Sequence, residues 1–242
     1  MKDLYQVFFQ YVGIFFVLYL VGYASFLMMS VTVGSSELWD AKRRGKLKNE
    51  LKKDYYVPVT IVVPAHNESV TIEATVRSLL VLKYSLYEIV VVDDGSTDET
   101  SDVMVRAFSM KQIARPIQRQ LKCQPEEAVF ETRTFKVPVT LIRKKNGGKA
   151  DALNMGINAA RYPYFICMDA DSVLQNDSLE KIVRPVLGDD HVIAVGGTVR
   201  PCNGAVIKNG QLVKYGLPKK LLACMQVLEY DRSFLASRIL FD

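Results

Sequence analysis

The amino-terminal segment restricts the fold of this chain more than any other part of the sequence. No charged residue occurs between Asp3 and Glu37. A helix needs about 20 apolar residues to cross the hydrocarbon of a bilayer, so this segment is long enough to span it with some tilt. Aromatic residues crowd its first half and Trp39 follows its end, as interfacial anchors would. We therefore predict a transmembrane helix within residues 1–36.

A cleaved signal peptide is the alternative interpretation of this segment. Signal peptides have a shorter apolar region preceded by basic residues, whereas here seven basic residues follow it within Lys42–Lys53. Basic residues beside a spanning helix stay in the cytoplasm. We therefore expect a single-pass plasma-membrane protein with its N-terminus outside, a basic juxtamembrane linker over 37–57 and a cytoplasmic domain over 58–242. The basic run suits anionic lipid headgroups, and equally a solvated helix end.

The composition of the chain indicates a globular domain behind this helix. Of the 242 residues, 49% are hydrophobic and 24% are charged, which excludes a disordered chain. The net charge of +5 is mild, and we expect no nucleic-acid partner. Four widely spaced cysteines without a Cys-x-x-Cys pair predict reduced thiols rather than disulfides or a zinc site.

Short apolar strands alternate with helical segments from Pro58 onward. Apolar and β-branched runs predict strands at Val59–Val63, Glu88–Val92, Val139–Ile142, Tyr164–Met168 and Val192–Val195. Helical patterns predict helices at Ser69–Leu82, Asp98–Phe108, Ala150–Ala160 and Ser178–Leu187. This alternation is typical of an α/β domain with a largely parallel sheet.

Two segments depart from this alternation. Met110–Lys136 contains two prolines and mixed charge without a clear period, so we predict a peripheral excursion with a short helix near Pro125–Phe130. Leu217–Phe241 carries an apolar stripe at helical spacing. Such a stripe usually faces a core, and a helix lying at the membrane interface is the alternative.

Polar motifs follow the ends of the predicted strands, where ligands bind in parallel sheets. Asp93 and Asp94 end the second strand, and Asp169 and Asp171 follow the fourth. Two carboxylates at a strand end can hold a divalent cation, which can bridge a diphosphate. A Gly-Gly pair before Lys149 lets backbone amides and an ammonium approach a phosphate. The sequence therefore predicts an enzyme with a metal-assisted nucleotide-diphosphate site.

Four motifs follow one another in order along this part of the chain. They are Val-Pro-Ala-His-Asn-Glu, Val-Val-Asp-Asp-Gly-Ser-Thr-Asp, Lys-Asn-Gly-Gly-Lys-Ala-Asp-Ala-Leu-Asn and Met-Asp-Ala-Asp. In these motifs Pro58–Asp242 resembles the family 2 inverting glycosyltransferases, in particular the membrane-bound processive synthases of the cellulose, hyaluronan and poly-N-acetylglucosamine type. The resemblance implies a GT-A-type, Rossmann-like, mostly parallel sheet flanked by helices. It also implies inverting transfer from a UDP-sugar donor to a growing polysaccharide at the lipid bilayer.

The resemblance also implies which residues hold the nucleoside. Pro64, Ala65 and Glu68 would lie beside it. Asp93 or Asp94 would accept a hydrogen bond from uracil N3–H, which favours UDP-sugars as donors. Short acidic motifs often serve only as helix N-terminal charges, but here three companion motifs accompany this one.

The diphosphate side of the site follows from the same resemblance. Lys149 would meet the diphosphate, and Asp169 would bind the ribose or assist the metal. Asp171 would ligate Mg²⁺ or Mn²⁺, which neutralises charge on the departing UDP. His66 would form part of the pocket wall.

The sequence departs from the family in its second half. An inverting transferase needs a general base. In the family this is an aspartate of a Thr/Gly-Glu-Asp segment, followed by Gln-x-x-Arg-Trp and further transmembrane helices, and the sequence contains none of these. The catalytic base stays unassigned, because Asp231 beside an arginine resembles a surface ion pair. We interpret the chain as the donor-binding half of a synthase: a truncated product, a gene fragment or one piece of a split enzyme partnered by a second subunit or the missing C-terminal half.

Two other classes of function stay open at this point. A non-catalytic nucleotide-sugar-binding or regulatory protein agrees with the missing base. A nucleotidyltransferase would also use Asp-x-Asp, but the sequence has no Gly-rich signature of the P-loop or dinucleotide type. A reading frame beyond codon 242 that encodes Glu-Asp and Gln-x-x-Arg-Trp would favour an ordinary synthase. By itself the chain would then bind a UDP-sugar without making polymer.

We predict that the full chain stays in the membrane fraction after carbonate extraction, because its apolar segment exceeds the length needed to span a bilayer. A reporter fused after Asp242 should be active on the cytoplasmic side. Release into the soluble fraction would contradict the anchor, and a reporter signal from outside the cell would contradict its orientation.

Overall fold

The structure is a computed structural model that describes residues 2–49, 57–132, 134–188, 191–199, 201–202, 204–208, 211–214 and 216–233. The chain forms two compact units. The helical unit comprises Met1–Asp54, Thr198–Gly204 and Gly216–Asp242, and the sheet unit comprises Tyr55–Gly197 and Ala205–Tyr215. In chain order the elements are α1 (Lys2–Asn49), β1 (Val59–Ala65), α2 (Ile72–Leu80), β2 (Tyr87–Asp94), α3 (Thr100–Ala107), β3 (Lys111–Ile113), β4 (Glu126–Thr132), β5 (Val139–Lys144), α4 (Lys149–Ala159), β6 (Tyr164–Cys167), α5 (Ser178–Gly188), β7 (Val206–Lys208), β8 (Gln211–Lys214) and α6 (Leu221–Ser233).

Parallel strands form the centre of a six-stranded sheet with the order β3-β4-β5-β2-β1-β6. β1 pairs in parallel with β2 and β6, and β2 pairs in parallel with β5. The chain moves from β1 to β2 and β5 on one side, and β6 then joins the other side of β1. This is the strand order of a Rossmann-like half. The predicted α/β class with a mostly parallel, Rossmann-like sheet flanked by helices is confirmed.

Helices cover both faces of this sheet. On one face, α2, α3 and α5 contribute to a core that includes Leu79 and Phe108. On the other face, α4 packs Ala152 against β1 and β2. Neighbours along β2 such as Val90 and Val91 are fully buried on opposite faces. Because both faces are covered, the central strands are continuous apolar runs rather than alternating ones.

The excursion 110–136 extends the sheet, and the helix predicted near Pro125–Phe130 is wrong. β4 pairs antiparallel with β5, and β3 pairs antiparallel with β4. Val129 packs into the core beneath α4, whereas Phe130 packs against the core on the opposite face. Neighbouring residues on opposite faces are the geometry of a strand. The edge of β5 supplies backbone partners that the local sequence does not reveal.

The fifth predicted strand, Val192–Val195, is also wrong. The described segment 191–199 contains no strand, and Ile193 is fully exposed. A β-branched run becomes a strand only where another strand satisfies its backbone groups. The other predicted strands and helices exist, and their ends coincide with the predicted ones or differ by up to three residues.

The helical unit contains the segment expected to cross the membrane. Within α1, Tyr5–Ser36 is long and apolar enough to do so. Helix α1 continues to Asn49, so the first part of the predicted linker 37–57 is helical, while 50–56 lie outside the described residues.

The last helix, α6, is shorter than the predicted apolar stripe Leu217–Phe241. Residues 234–242 lie outside the described part of the chain. Leu221, Leu222 and Leu228 are exposed, so no core among the described residues covers these positions. The alternative of a helix at the membrane interface stays a prediction.

We predict that Gly156→Val lowers the stability of the fold. A Cβ at Gly156 would lie 2.2 Å from Cγ1 of Val62, which is closer than two carbon atoms can approach. The valine should therefore push α4 away from β1 and cost about 1–3 kcal/mol, the usual range for overpacking. Gly196→Ala is the control, because a Cβ there meets nothing within 4 Å. Thermal unfolding of the full chain in detergent measures both, and an unchanged Tm for Gly156→Val would contradict the close packing.

Candidate functional site

A cleft of about 230 Å³ opens at the carboxyl ends of β1, β2 and β6. Its lining is formed by Pro64, Ala65, His66, Glu68, Asp94, Lys149, Ala152, Asp169, Ala170 and Asp171. The strand order explains its position, because β1 is where the order reverses: β2 follows on one side of β1, whereas the later strand β6 joins the other side. The structure thus brings together all residues predicted to bind nucleotide sugar or metal, with the exception of Asp93. Their individual roles stay predictions.

The β1–α2 loop is attached to the β2–α3 turn by side chains that the sequence analysis missed. The Asn67 carboxamide oxygen accepts hydrogen bonds from the backbone N–H groups of Thr97 (2.8 Å) and Asp98 (3.3 Å). In return, the N–H of Ser69 donates to Oδ2 of Asp98 at 3.1 Å. Asn67 has φ = 57°, a left-handed conformation that asparagine tolerates better than most residues. These contacts fix the loop that carries Glu68 into the cleft.

Asp93 is bonded to residues that follow β2 and is not among those that line the cleft. It is almost fully buried. Its Oδ1 accepts a hydrogen bond from the N–H of Ser96 at 2.9 Å, and its Oδ2 accepts one from the hydroxyl of Ser101. Of the two aspartates predicted as alternative acceptors for uracil, only Asp94 lines the cleft.

Asp94 is the centre of a buried hydrogen-bond network. Its Oδ1 accepts from the Lys144 ammonium and from the N–H of Gly147 at 3.0 Å, and its Oδ2 accepts from the N–H of Gly148 at 2.8 Å. The Lys144 ammonium also donates to Oδ2 of Asp151 at 2.8 Å and to the carbonyl of Lys145 at 2.9 Å. This network fixes the glycine loop against the end of β2.

Lys144 is a further residue that the sequence analysis missed. Its side chain is 0% exposed. Burial opposes its charge, but hydrogen bonds to Asp151 and Asp94 outweigh that effect and raise the pKa of Lys144. The feature that identifies Lys144 as part of the site is the parallel register of β2 and β5, which places Asp94 opposite Lys144. That register is a property of the assembled sheet.

Lys149 and Asp169 form an ion pair across the cleft. Nζ of Lys149 lies 2.5 Å from Oδ1 of Asp169, and both side chains are more than half exposed. Exposed pairs of this kind contribute about 0–1 kcal/mol, so the pair opens at little cost. Lys149 begins α4 immediately after Gly148, whose φ of 89° suits glycine. The N-terminal end of a helix favours an anion through its free N–H groups and its dipole.

The loop after β6 exposes two carboxylates. The N–H of Met168 donates to the carbonyl of Val62 at 3.1 Å, and the Thr75 hydroxyl donates to the carbonyl of Ala170 at 2.5 Å. Because Met168 and Ala170 are buried, the intervening and following aspartates, Asp169 and Asp171, are left exposed at the cleft. The anchor from Thr75 was not predicted from the sequence.

The donor atoms in this loop fit a hard divalent cation. Carboxylate oxygens are ligands of Mg²⁺ and Mn²⁺. Among the described residues, His, Cys, Asp and Glu side chains form no group of three or more that could hold a metal. Asp169 and Asp171 would therefore hold the cation together with ligand oxygens and water, as Mg²⁺ sites with substrate phosphates do.

His66 and Asp231, the two other residues weighed in the sequence analysis, lie in different units of the chain. His66 lies in the cleft wall, where its Nδ1–H donates to the carbonyl of Asp94 at 2.9 Å. Asp231 lies on α6, in the helical unit. Its neighbour Arg232 donates to the Glu229 carboxylate at 2.9 Å, so the expected ion pair of this arginine involves Glu229.

This combination of a Rossmann-like sheet, a lysine at a helix start and paired carboxylates is typical of α/β enzymes that bind nucleotides at the carboxyl edge of the sheet. The model of one family, described as Glycosyl transferase family 2, matches residues 60–122 and 124–230. The chain belongs to this family, and the resemblance seen in its motifs is confirmed.

Curated relatives include poly-beta-1,6-N-acetyl-D-glucosamine synthases. The protein from Staphylococcus aureus (strain COL) is 28% identical over 180 residues, which cover 74% of this chain and 37% of the relative. The protein from Staphylococcus epidermidis (strain ATCC 35984) is 27% identical over 212 residues, covering 86% of this chain and 45% of the relative. The chain thus spans less than half the length of these relatives.

Solved structures with a partial likeness include a mannosyltransferase from Pyrobaculum calidifontis in complex with GDP-Man and Mn2+. It has a TM-score of 0.42 and 24% sequence identity, covering 66% of this chain and 41% of that chain.

We predict that the loop contacts of Asp98 make stability depend on acid pH. Burial opposes the charge of this carboxylate, but hydrogen bonds from Thr100 and Ser69 outweigh it and lower the pKa of Asp98 from 3.8 to about 2. Because the folded pKa lies below the unfolded one, the stabilisation is present above pH 3.8 and is lost as the pH falls toward 2. Asp98→Asn should flatten this part of the curve of Tm against pH.

Thr100→Val is the companion variant, since it removes the hydroxyl that donates to Asp98. It should flatten the same part of the curve to a smaller extent. A curve for Asp98→Asn with the wild-type slope between pH 4 and 2 would contradict the assignment.

Proposed function

We propose that the chain binds a UDP-sugar through a divalent metal and forms the donor-binding part of a membrane-anchored polysaccharide synthase. The observation that carries this proposal is the convergence of Asp94, Lys149, Asp169 and Asp171 on one cleft. Two carboxylates and a helix-start lysine offer complementary contacts to a metal and a diphosphate.

The nucleoside would lie along the β1 side of the cleft. Pro64, Ala65 and Glu68 would surround it, and Asp94 would accept the hydrogen bond from uracil N3–H. Asp93 would contribute indirectly, since its hydrogen bonds to Ser96 and Ser101 support the turn after β2.

The Lys149–Asp169 pair would open when donor and metal bind. Lys149 would then meet the diphosphate, while Asp169 and Asp171 would hold Mg²⁺ or Mn²⁺. The bound metal would neutralise charge that develops on the departing UDP. The weak exposed ion pair keeps both groups in place before binding and costs little to replace.

The names of the curated relatives favour N-acetylglucosamine as the transferred sugar and a growing polysaccharide as the acceptor. An inverting transfer also needs a base and a platform for the acceptor. We propose that these come from a second subunit or from sequence outside these 242 residues.

The proposed arrangement in the cell follows from α1. Residues 1–36 would anchor the chain in the plasma membrane with its N-terminus outside, and the basic juxtamembrane linker 37–57 would lie on the cytoplasmic side of the lipid bilayer. The glycosyltransferase domain of 58–242 would work in the cytoplasm, where basic residues such as those of Lys42–Lys53 are retained.

We predict that UDP binds to the full chain about tenfold or more tightly with Mn²⁺ than in EDTA, because a cation held by Asp169 and Asp171 would offset the charge of the diphosphate. Asp171→Ala should abolish this gain. Asp177→Ala is the matched control, since Asp177 is an aspartate of the following segment that pairs with Lys181 at 2.7 Å. Isothermal titration calorimetry measures all three proteins. Equal affinity of the wild type in EDTA and in Mn²⁺ would refute the metal assignment.

A further inference from the structure

Asp169 and Asp171 belong to one tight turn that follows β6. The N–H of Ser172 donates to the carbonyl of Asp169 at 3.1 Å, and this hydrogen bond closes a β-turn. Ala170 and Asp171 are the two central residues of the turn. Both aspartates line the cleft, so the conformation of this turn decides where their carboxylates point.

The peptide between the two central residues of a β-turn can adopt either of two orientations. In a type II turn it is reversed relative to a type I turn, and the third residue of the turn then has a positive φ. Among the described residues other than glycine, only Asn67 and Ser109 have a positive φ, so Asp171 does not adopt the type II conformation. Reversal of this peptide would change the backbone direction at Asp171, and with it the direction of its carboxylate.

A buried threonine on α2 holds the carbonyl of this central peptide. The Thr75 hydroxyl donates to the carbonyl of Ala170 at 2.5 Å, and both residues are at most 4% exposed. The backbone of Thr75 is held by a helical hydrogen bond to the carbonyl of Thr71 at 3.0 Å, and its neighbour Val76 is fully buried in the core. A β-branched side chain also has restricted rotation about χ1. The packing of α2 therefore fixes the donor that holds the turn.

We propose that Thr75 is a positioning residue for the divalent cation, because its hydroxyl locks the central peptide of the turn and keeps Asp169 and Asp171 directed at the cleft. This inference rests on the proposed function, in which these two carboxylates hold the metal. A ligand that must first order its own site loses that cost from its binding free energy. Without the Thr75 hydroxyl, the cation itself would have to order the turn.

The role of Thr75 should be confined to the metal side of the cleft. On the nucleoside side, Oε2 of Glu68 accepts a hydrogen bond from the Thr71 hydroxyl at 2.6 Å, and the N–H of Glu68 donates to the Thr100 hydroxyl at 2.8 Å. Neither contact involves the side chain of Thr75. A substitution of that side chain should therefore weaken metal-dependent binding of UDP and leave metal-free binding unchanged.

Four variants of the full chain separate the hydroxyl from the rest of the side chain. Thr75→Val removes the donor and keeps the shape. Thr75→Ala removes the same donor from a smaller side chain, so the test does not depend on the folding of the valine variant. Thr75→Ser keeps the hydroxyl. Ser78→Ala is the matched control, because Ser78 is buried on the same helix and its hydroxyl donates to the carbonyl of Thr75 at 2.7 Å rather than to the turn.

Calorimetry with UDP, in Mn²⁺ and in EDTA, measures the metal-dependent gain in affinity. The wild type, Thr75→Ser and Ser78→Ala should show a gain of about tenfold or more. In Thr75→Val and Thr75→Ala the gain should fall to within about threefold, since loss of a group that orients metal ligands typically weakens metal binding about 10–100-fold. The affinity for UDP in EDTA should be the same in all five proteins.

Amide hydrogen exchange without metal or nucleotide provides a second readout, which does not depend on the proposed function. The segment that contains Ser172 should exchange about fivefold faster in Thr75→Val and Thr75→Ala than in the wild type, a factor that corresponds to one net hydrogen bond. Thr75→Ser and Ser78→Ala should keep the wild-type rate. Mass spectrometry of the exchanged protein measures all five.

The outcomes separate this inference from the proposed function. If the variants without the Thr75 hydroxyl keep the metal-dependent gain, or lose UDP affinity equally in Mn²⁺ and EDTA, Thr75 is only structural and the inference is overturned. If the wild type itself binds UDP equally in Mn²⁺ and EDTA, the proposed metal site fails and the inference fails with it. A gain lost only in the two variants without the hydroxyl, together with faster exchange of the turn, establishes the role.

Discussion

A lysine side chain without solvent exposure carries its charge only if the protein replaces every contact that water provided, since an unpaired buried ion costs several kcal/mol. Lys144 meets this condition through Asp94, Asp151 and the carbonyl of Lys145. Asp94 in turn holds the N–H groups of Gly147 and Gly148. The position of the glycine loop, and with it the start of α4, therefore depends on this one ammonium group.

Asp151 extends the same network to the excursion before β4. Its carboxylate accepts a hydrogen bond from the N–H of Gln124 at 3.0 Å as well as from Lys144, and these bonds lower the pKa of Asp151 although burial opposes its charge. Along the same helix, Asn158 binds the N–H of Leu121 at 2.8 Å. The excursion is thus attached to the helix whose first residue, Lys149, lines the cleft.

Some contacts in the cleft hold its loops in place, and one ion pair can be displaced by a ligand. The loops after β1 and β2 are joined by neutral and charge-assisted hydrogen bonds around Asn67 and Asp98. The Lys149–Asp169 pair is exposed, and a ligand can displace it at low cost. Such a division agrees with the proposed donor site, in which the nucleoside would need fixed geometry and the diphosphate and metal would need groups free to rearrange.

The sequence by itself determined the apolar helix Tyr5–Ser36, the central strands and the set of polar residues at their ends, because apolar periodicity and strand-end motifs are local patterns. The local pattern predicted a helix where β4 forms and a strand at Val192–Val195 where none is found in the described segment. A strand forms only where another part of the fold supplies an edge with which it can pair. Only the tertiary structure placed Asp94 rather than Asp93 in the lining of the cleft and brought Lys144 beside Asp94. Those contacts follow from the register of β2 and β5, and the register is fixed by the packing of helices on both faces of the sheet.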